Sequence, residues 1–168
     1  IENHRNKNPE TFDHIYLGQP RTDDDESVIK TSWILAAIDA HKTIGFGDAG
    51  RSRMGFDIAD SGQDMCAVTH VKGNVCYFTE EWSAGEDKLL WSCTKAHHLA
   101  QERNAEIIYD SIGVGAAAGA KFNELGFRRH HKFNAGAAVM FPDKVYQPKI
   151  TNKDFFANLK AQAWWMVA

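Results

Sequence analysis

A chain of 168 residues fits one domain. Its 43% hydrophobic and 24% charged residues exclude disorder and a fibrous architecture, and a net charge of −3 excludes the global positive field of a stand-alone nucleic-acid binder. The charge is uneven, however: Thr22 to Glu26 (TDDDE) is acidic, and Arg128 to Lys132 (RRHHK) leaves room for a local basic surface. No apolar run approaches the roughly 20 residues of a membrane span. Cys66, Cys76 and Cys93 form no CxxC pair, and their odd number points to a reducing compartment and to buried apolar roles. These features indicate a soluble cytosolic protein.

In chain order, residues 1–50 are a polar lead-in holding one helical pattern, Ser32 to His41, in which Ile34, Leu35 and Ile38 share a face and Ser32 is the candidate cap. The start reads as a mid-chain linker, without an initiator Met. From Met54 the pattern changes to short apolar runs with alternation: MGFDIA, MCAVTH from Met65, and NVCYFTEEW from Asn74. Asp60 to Gln63 and Lys72 to Asn74 are hairpin-type links, so an antiparallel meander is predicted. A helix follows over Glu86 to Arg103, and then a strand, Glu106 to Asp110. Gly113 to Leu125 suits a helix closed by Gly126. Another strand is expected over Arg128 to Asn134. A final helix from about Asn152 to the end carries Phe155, Phe156, Trp164 and Trp165, read as core. It stops inside an apolar pattern without a capping signal. The order predicts an α/β fold: a mixed sheet, antiparallel meander plus parallel strands, flanked by helices.

Two acids stand out. Asp57 sits between Phe56 and Ile58 in the first strand, where burying a charge costs several kcal/mol unless it is paired or binds a metal. Asp110 ends the run IIYD before a glycine turn. Should the first and fourth strands be neighbours, both carboxylates meet at one sheet end, where such sheets place ligands. A hard cation between them would relieve their repulsion and make a Mg²⁺ or Mn²⁺ site. Two such ions roughly 4 Å apart can drive phosphodiester hydrolysis. The competing reading is that strand-end aspartates only cap the next turn. Asp64 could bind a second ion, and Asp60 reads as a turn former. Gly113-Val114-Gly115 lacks the Lys and Ser/Thr of a phosphate loop and reads as a close-packing device; with no Walker sequence, any ATPase lies elsewhere. His97-His98 and His130-His131 lack cysteines at zinc-ligand spacing, and adjacent side chains point apart. Arg128, Arg129, Lys132 and Lys144 are candidate DNA phosphate contacts, against a plain solvated face. Lys153 and Lys160 could face the site.

The block Gly55 to Val68 (GFDIADSGQDMCAV) resembles the opening of the nuclease domain of tailed-phage large terminases, which are ribonuclease H-like. Three more blocks agree in order: Phe12 to Pro20 (FDHIYLGQP) with the link from the packaging ATPase, IIYDSIGVGAAA with the second-acid block, and NKDFFANLKAQAWW with the late helix. The resemblance implies a metal-dependent endonuclease that cuts concatemeric double-stranded viral DNA, with Asp57 and Asp110 as its matching acids and Mg²⁺ or Mn²⁺ as cofactor. It implies residues 1–50 as a lead-in from an upstream ATPase domain of the same polypeptide and 51–168 as a C-terminally incomplete nuclease domain. A third acid falls beyond Ala168; Asp143 and Asp154 are the other acids nearby. A small terminase subunit and a portal protein are the implied partners, in the host cytoplasm and without a membrane. A silent docking module and a Holliday-junction resolvase or transposase-like nuclease are the other readings.

Overall fold

The computed structural model describes residues 27–59, 64–85 and 88–167. Thr22 to Glu26, the block from Phe12 to Pro20, and Asp60 with its hairpin link lie outside the described residues. The chain divides into two compact units, residues 45–163 and, in the other, the described residues 27–44 and 164–167.

Within the smaller unit, α1 (Thr31–Ala37) and α2 (Ala40–Ile44) replace the single helix expected over Ser32 to His41. The break falls at Asp39, whose φ of 56° is left-handed, a conformation that ends a helix and that Asp tolerates better than most residues. Ser32 is not the cap. Lys30 holds that position and its side chain does not cap the helix, and Ile34, Leu35 and Ile38 are all exposed.

The larger unit is built on a sheet of five strands in the order β3-β2-β1-β4-β5. They are β1 (Ser52–Asp57), β2 (Met65–Lys72), β3 (Val75–Ser83), β4 (Glu106–Asp110) and β5 (His130–Phe133). As expected, β1, β2 and β3 form an antiparallel meander. After the helix α3 (Leu89–Glu102), β4 returns parallel to β1 and β5 parallel to β4. Alternation decides the faces. Met54 and Phe56 of β1 and Ile107 and Tyr109 of β4 are buried, and register sets Val68 opposite Phe56 on the same side. Against that face pack α3, through Ser92, Cys93, Ala96, His97 and Ala100, and α4 (Ala118–Glu124), through Ala118, Gly119 and Phe122. The helix expected from Gly113 opens instead with a 3-10 turn, Gly113–Ala117. Gly126, at φ 71°, closes it as expected.

Phe122 is the hub of this core. Its ring meets Phe56 at 6.5 Å, Tyr109 at 5.5 Å and Phe127 at 6.2 Å, all edge-on. Phe122→Ala is expected to cost about 3–5 kcal/mol of unfolding free energy, read as a lowered urea midpoint at unchanged slope. The core also holds histidine. Among the described residues, both ring nitrogens of His97 are buried without a hydrogen-bond partner, and the ring packs edge-on at 5.0 Å from Phe127. Burial lowers the pKa of His97 from 6.5, with His98 adding to it. Burial likewise lowers His70 and His130. A neutral ring is therefore favoured in the fold, and the unfolded chain binds more protons in acid. Stability should be level above the ordinary histidine value of 6.5 and fall as pH drops below it. Urea titrations at mildly acid and neutral pH check the sign.

Beyond β5 the chain adds an unforeseen hairpin, β6 (Val145–Gln147) with β7 (Ile150–Thr151). The last predicted helix is two, α5 (Asn152–Phe155) and α6 (Leu159–Val167). Thr151 and Asp154 form a capping box at the start of α5. Of the four aromatics read as core, only Phe156 is buried; Trp164 is 54% exposed, and Phe155 and Trp165 are exposed as well. What anchors this segment is polar: Asn152 donates to the carbonyls of Met140 and Phe141, both at 3.0 Å. Buried Gln162 accepts from Met140 N–H at 2.7 Å and donates back to its carbonyl at 3.1 Å. Cys66 and Cys93 are buried and Cys76 is exposed, all as free thiols; burial pushes Cys93 up to about 11, so it stays protonated at neutral pH. Among the described residues, no helix is long and apolar enough to cross a membrane.

Candidate active site

Asp57 is the last residue of β1 and Asp110 the last of β4. These strands run side by side in parallel, with Phe56 opposite Tyr109. One further step of the same register sets Asp57 beside Asp110. Since Phe56 and Tyr109 both face the helices, alternation turns both carboxylates to the other face, and both residues are exposed. The argument from a buried charge is thus corrected. Asp57 falls on the open face of an alternating strand and carries no burial cost; what marks it is its neighbour.

The sheet supports this pair from beneath. Asp110 accepts the Ile112 N–H at 3.0 Å through Oδ1, so the turn-capping reading holds for one of its oxygens. Ser111 N–H donates to the Phe133 carbonyl at 3.0 Å, which pins the turn to β5. Gly115 then passes so close that a Cβ there would lie 1.8 Å from the Asp110 carbonyl oxygen and 3.7 Å from Ile58. The Gly-Val-Gly segment is therefore the close-packing device expected, and what it packs against is the backbone of the second acid. On the other strand, the Cys66 thiol donates to the Ala59 carbonyl and accepts the Ala59 N–H, both at 3.3 Å. Sequence reasoning took Cys66 for a plain apolar residue. Its thiol ties the segment after Asp57 back to β2.

Asp64 stands three residues before Ala67, the register partner of Asp57, and so precedes β2 at the same sheet edge, exposed. Among the described residues, no three or more His, Cys, Asp or Glu side chains form a group that could hold a metal ion. What the fold brings together is a pair of hard oxygen donors, and their adjacency fits a divalent ion better than it fits two free like charges.

The other acids are occupied. Asp143 pairs with Lys153 at 2.8 Å, and Asp154 accepts from Thr151 N–H at 3.0 Å. The candidate cations divide. Arg128 and Arg129 precede β5, which is parallel to β4, and so lie at the sheet end opposite Asp110. Arg128 donates to Asn123 at 3.0 Å and Arg129 to Asn104. Lys132 is the register partner of Tyr109 and leans toward Gly119 of α4. Lys144 is exposed just before β6. His97 is buried and His98 exposed, but their rings stay 5.5 Å apart rather than diverging as expected, and His131 pairs with Glu106 at 2.9 Å.

The structure is similar to solved nuclease domains of the large terminase subunit gp2 of bacterial virus Sf6. One such structure matches with a TM-score of 0.77 at 27% identity, over 84% of this chain and 62% of that one. A lysine-to-alanine variant solved with manganese and beta-thujaplicinol matches at TM-score 0.74 and 28% identity, over 81% of this chain and 60% of that one. A variant solved with calcium matches at TM-score 0.74 and 27% identity. The chain thus spans about three-fifths of the length of the solved chains it matches. Neither a family model nor a curated protein matches the sequence.

Proposed function

From a chain with the ribonuclease H-like fold, similar to a phage large-terminase nuclease domain over more than four-fifths of its length, we propose a divalent-metal-dependent endonuclease that cuts concatemeric double-stranded viral DNA during genome packaging. The observation that carries this reading is that Asp57 and Asp110 are the last residues of neighbouring parallel strands. Asp57 and Asp110 would hold the metal, with Asp64 as a further ligand from the same edge and a second ion once the domain is complete. A bound Mg²⁺ or Mn²⁺ supplies Lewis-acid polarisation of the phosphodiester and a water acidic enough to attack it. The chain's own part is positional: β1 and β4 fix the spacing of the two carboxylates, and the Ile112 N–H orients one of them. The exposed edge leaves a duplex free to approach.

By the same reading, residues 1–50 lead in from a packaging ATPase of the same polypeptide, and 51–168 belong to the nuclease domain, which continues to a third acid. The small terminase subunit and portal protein are the partners, and the host cytoplasm is the site of action. Lys132 and Lys144 stay as candidate phosphate contacts. The test is nicking of supercoiled plasmid by this chain and by one extended past Ala168, with Mn²⁺, with Mg²⁺ and with EDTA. Metal-dependent nicking that EDTA abolishes is expected, with linear duplex cut as readily as branched DNA. Absence of cutting by both chains would leave the silent docking module. A marked preference for four-way junctions would favour the resolvase reading.

A further inference from the structure

At the other end of the sheet, five residue steps or about 16 Å from the paired carboxylates, lies a cleft of about 590 Å³. Among the described residues, its walls carry Arg51, Lys72, Arg103 and Arg129 against one acid, Glu106. Four cations less one carboxylate leave three positive charges, in a chain whose net charge is −3.

The pairing of these cations is uneven. Lys72 is matched by Asp48 at 2.9 Å, and Arg103 by Glu102, also at 2.9 Å. Glu106 is shared: His131 meets it at 2.9 Å and Arg53 at 3.4 Å, which leaves Arg51 at 4.0 Å with its side chain 76% exposed. Among the described residues, Arg129 donates only to neutral oxygens, the Asn104 carbonyl at 2.7 Å and the Asn104 side chain. Those bonds orient the guanidinium and leave its charge uncompensated. Arg103 is held too, its guanidinium 4.2 Å over the Phe78 ring and donating to the Leu99 carbonyl at 3.2 Å.

The C-terminus of α3 points here, and its carbonyls would repel an anion. They are covered. Arg103 and the N–H groups of Asn104 and Ala105 take the carbonyls of Leu99, Gln101 and Ala100, and the Ser52 hydroxyl takes that of Arg103 at 3.0 Å. With that hydroxyl proton so used, His70 donates to Ser52 at 2.8 Å through a protonated Nε2. The cleft therefore presents oriented guanidinium donors and few open acceptors. Planar forks of this kind bind phosphate oxygens in pairs.

We propose that this cleft binds a phosphate group, with Arg129 and Arg51 as its principal ligands. The source is either a free phosphate such as pyrophosphate or the backbone of a nucleic acid, and both offer the same oxygens. This inference stands apart from the nuclease reading, because binding is measured without cutting.

The test is calorimetric titration of the full chain with pyrophosphate in EDTA, alongside anisotropy of a labelled short duplex over a range of salt. The double variant R51Q/R129Q should weaken pyrophosphate binding by tenfold or more, while D57N, altered at the far sheet end, binds as the unaltered chain does. A backbone source shows instead as weaker duplex binding, with a salt slope reduced by about two for the two lost cations. R51Q alone, at an exposed side chain without a packing role, should give a smaller weakening and carries the test should the double variant unfold. The proposal is overturned by unchanged affinity of R51Q/R129Q for both probes, by no binding of either probe to the unaltered chain, or by loss of pyrophosphate binding in D57N.

Discussion

Asp57→Asn is expected to lower the rate of plasmid nicking by about 10³-fold, equivalent to about 4 kcal/mol of transition-state stabilisation. Asparagine keeps the size of the side chain but removes the charge that would hold a dication beside Asp110. The same substitution should leave the fold intact. Asp57 is exposed, and among the described residues its neighbour across the parallel register is another acid. Removing one of two adjacent like charges should leave unfolding free energy unchanged or raise it by about 0.2–1 kcal/mol in metal-free buffer. A variant that is dead yet at least as stable is the signature of a site rather than of a structural residue. Asp110→Asn should be as inactive, and the double variant scarcely worse, because the two groups act as a unit. Asp57→Asn nicking at the unaltered rate would end the reading.

Gly115→Ala should combine a stability loss with an activity loss although it removes no functional group. The added Cβ would fall 1.8 Å from the Asp110 carbonyl oxygen and 2.9 Å from the carbonyl carbon. Backbone cannot rotate out of the way as a long side chain can, so the 3-10 turn or the end of β4 must move. Overpacking of this kind costs about 1–3 kcal/mol, and a displacement of about 1 Å at a catalytic group can cost about 10²-fold in rate. Urea midpoints and initial nicking rates report the two losses together. Gly136→Ala is the control: a Cβ there comes no nearer than 3.7 Å to a neighbouring atom, and both measures should hardly change. Equal behaviour of the two variants would show that the close approach does not position Asp110.

The sheet was legible in the sequence because its elements are short and separated by strong punctuation. Alternating runs around Met54, Met65 and Val75, a long helical pattern, and IIYD before glycines led to the chain order of the sheet's strands and to a mixed sheet, while the neighbours of each strand beyond the meander were left open. The candidate acids were legible as well, for a partly mistaken reason. Periodicity shows that Asp57 interrupts an apolar run, but it does not show which face of the strand is covered, and Asp57 lies on the open one. The C-terminal segment misled in the opposite sense. Its aromatics look like core, yet apart from Phe156 the buried anchors are Asn152 and Gln162, because the Met140 backbone needs an acceptor for its N–H as well as donors for its carbonyl, and neither Phe nor Trp can accept.

Residue types and their spacing thus determined the strands of the sheet, the helix between β3 and β4 and the meander, and marked Asp57 and Asp110 as candidate acids, since these depend on patterns along a few neighbouring positions. Tertiary structure alone decided the rest. Parallel pairing of β1 with β4 sets Phe56 opposite Tyr109 and so ends both strands, with Asp57 and Asp110, at the same side of the sheet, and parallel pairing of β4 with β5 carries Arg129 to the far edge, in one cleft with Arg51. Both are long-range registers, set by which apolar faces fit against one core, and no local pattern encodes them.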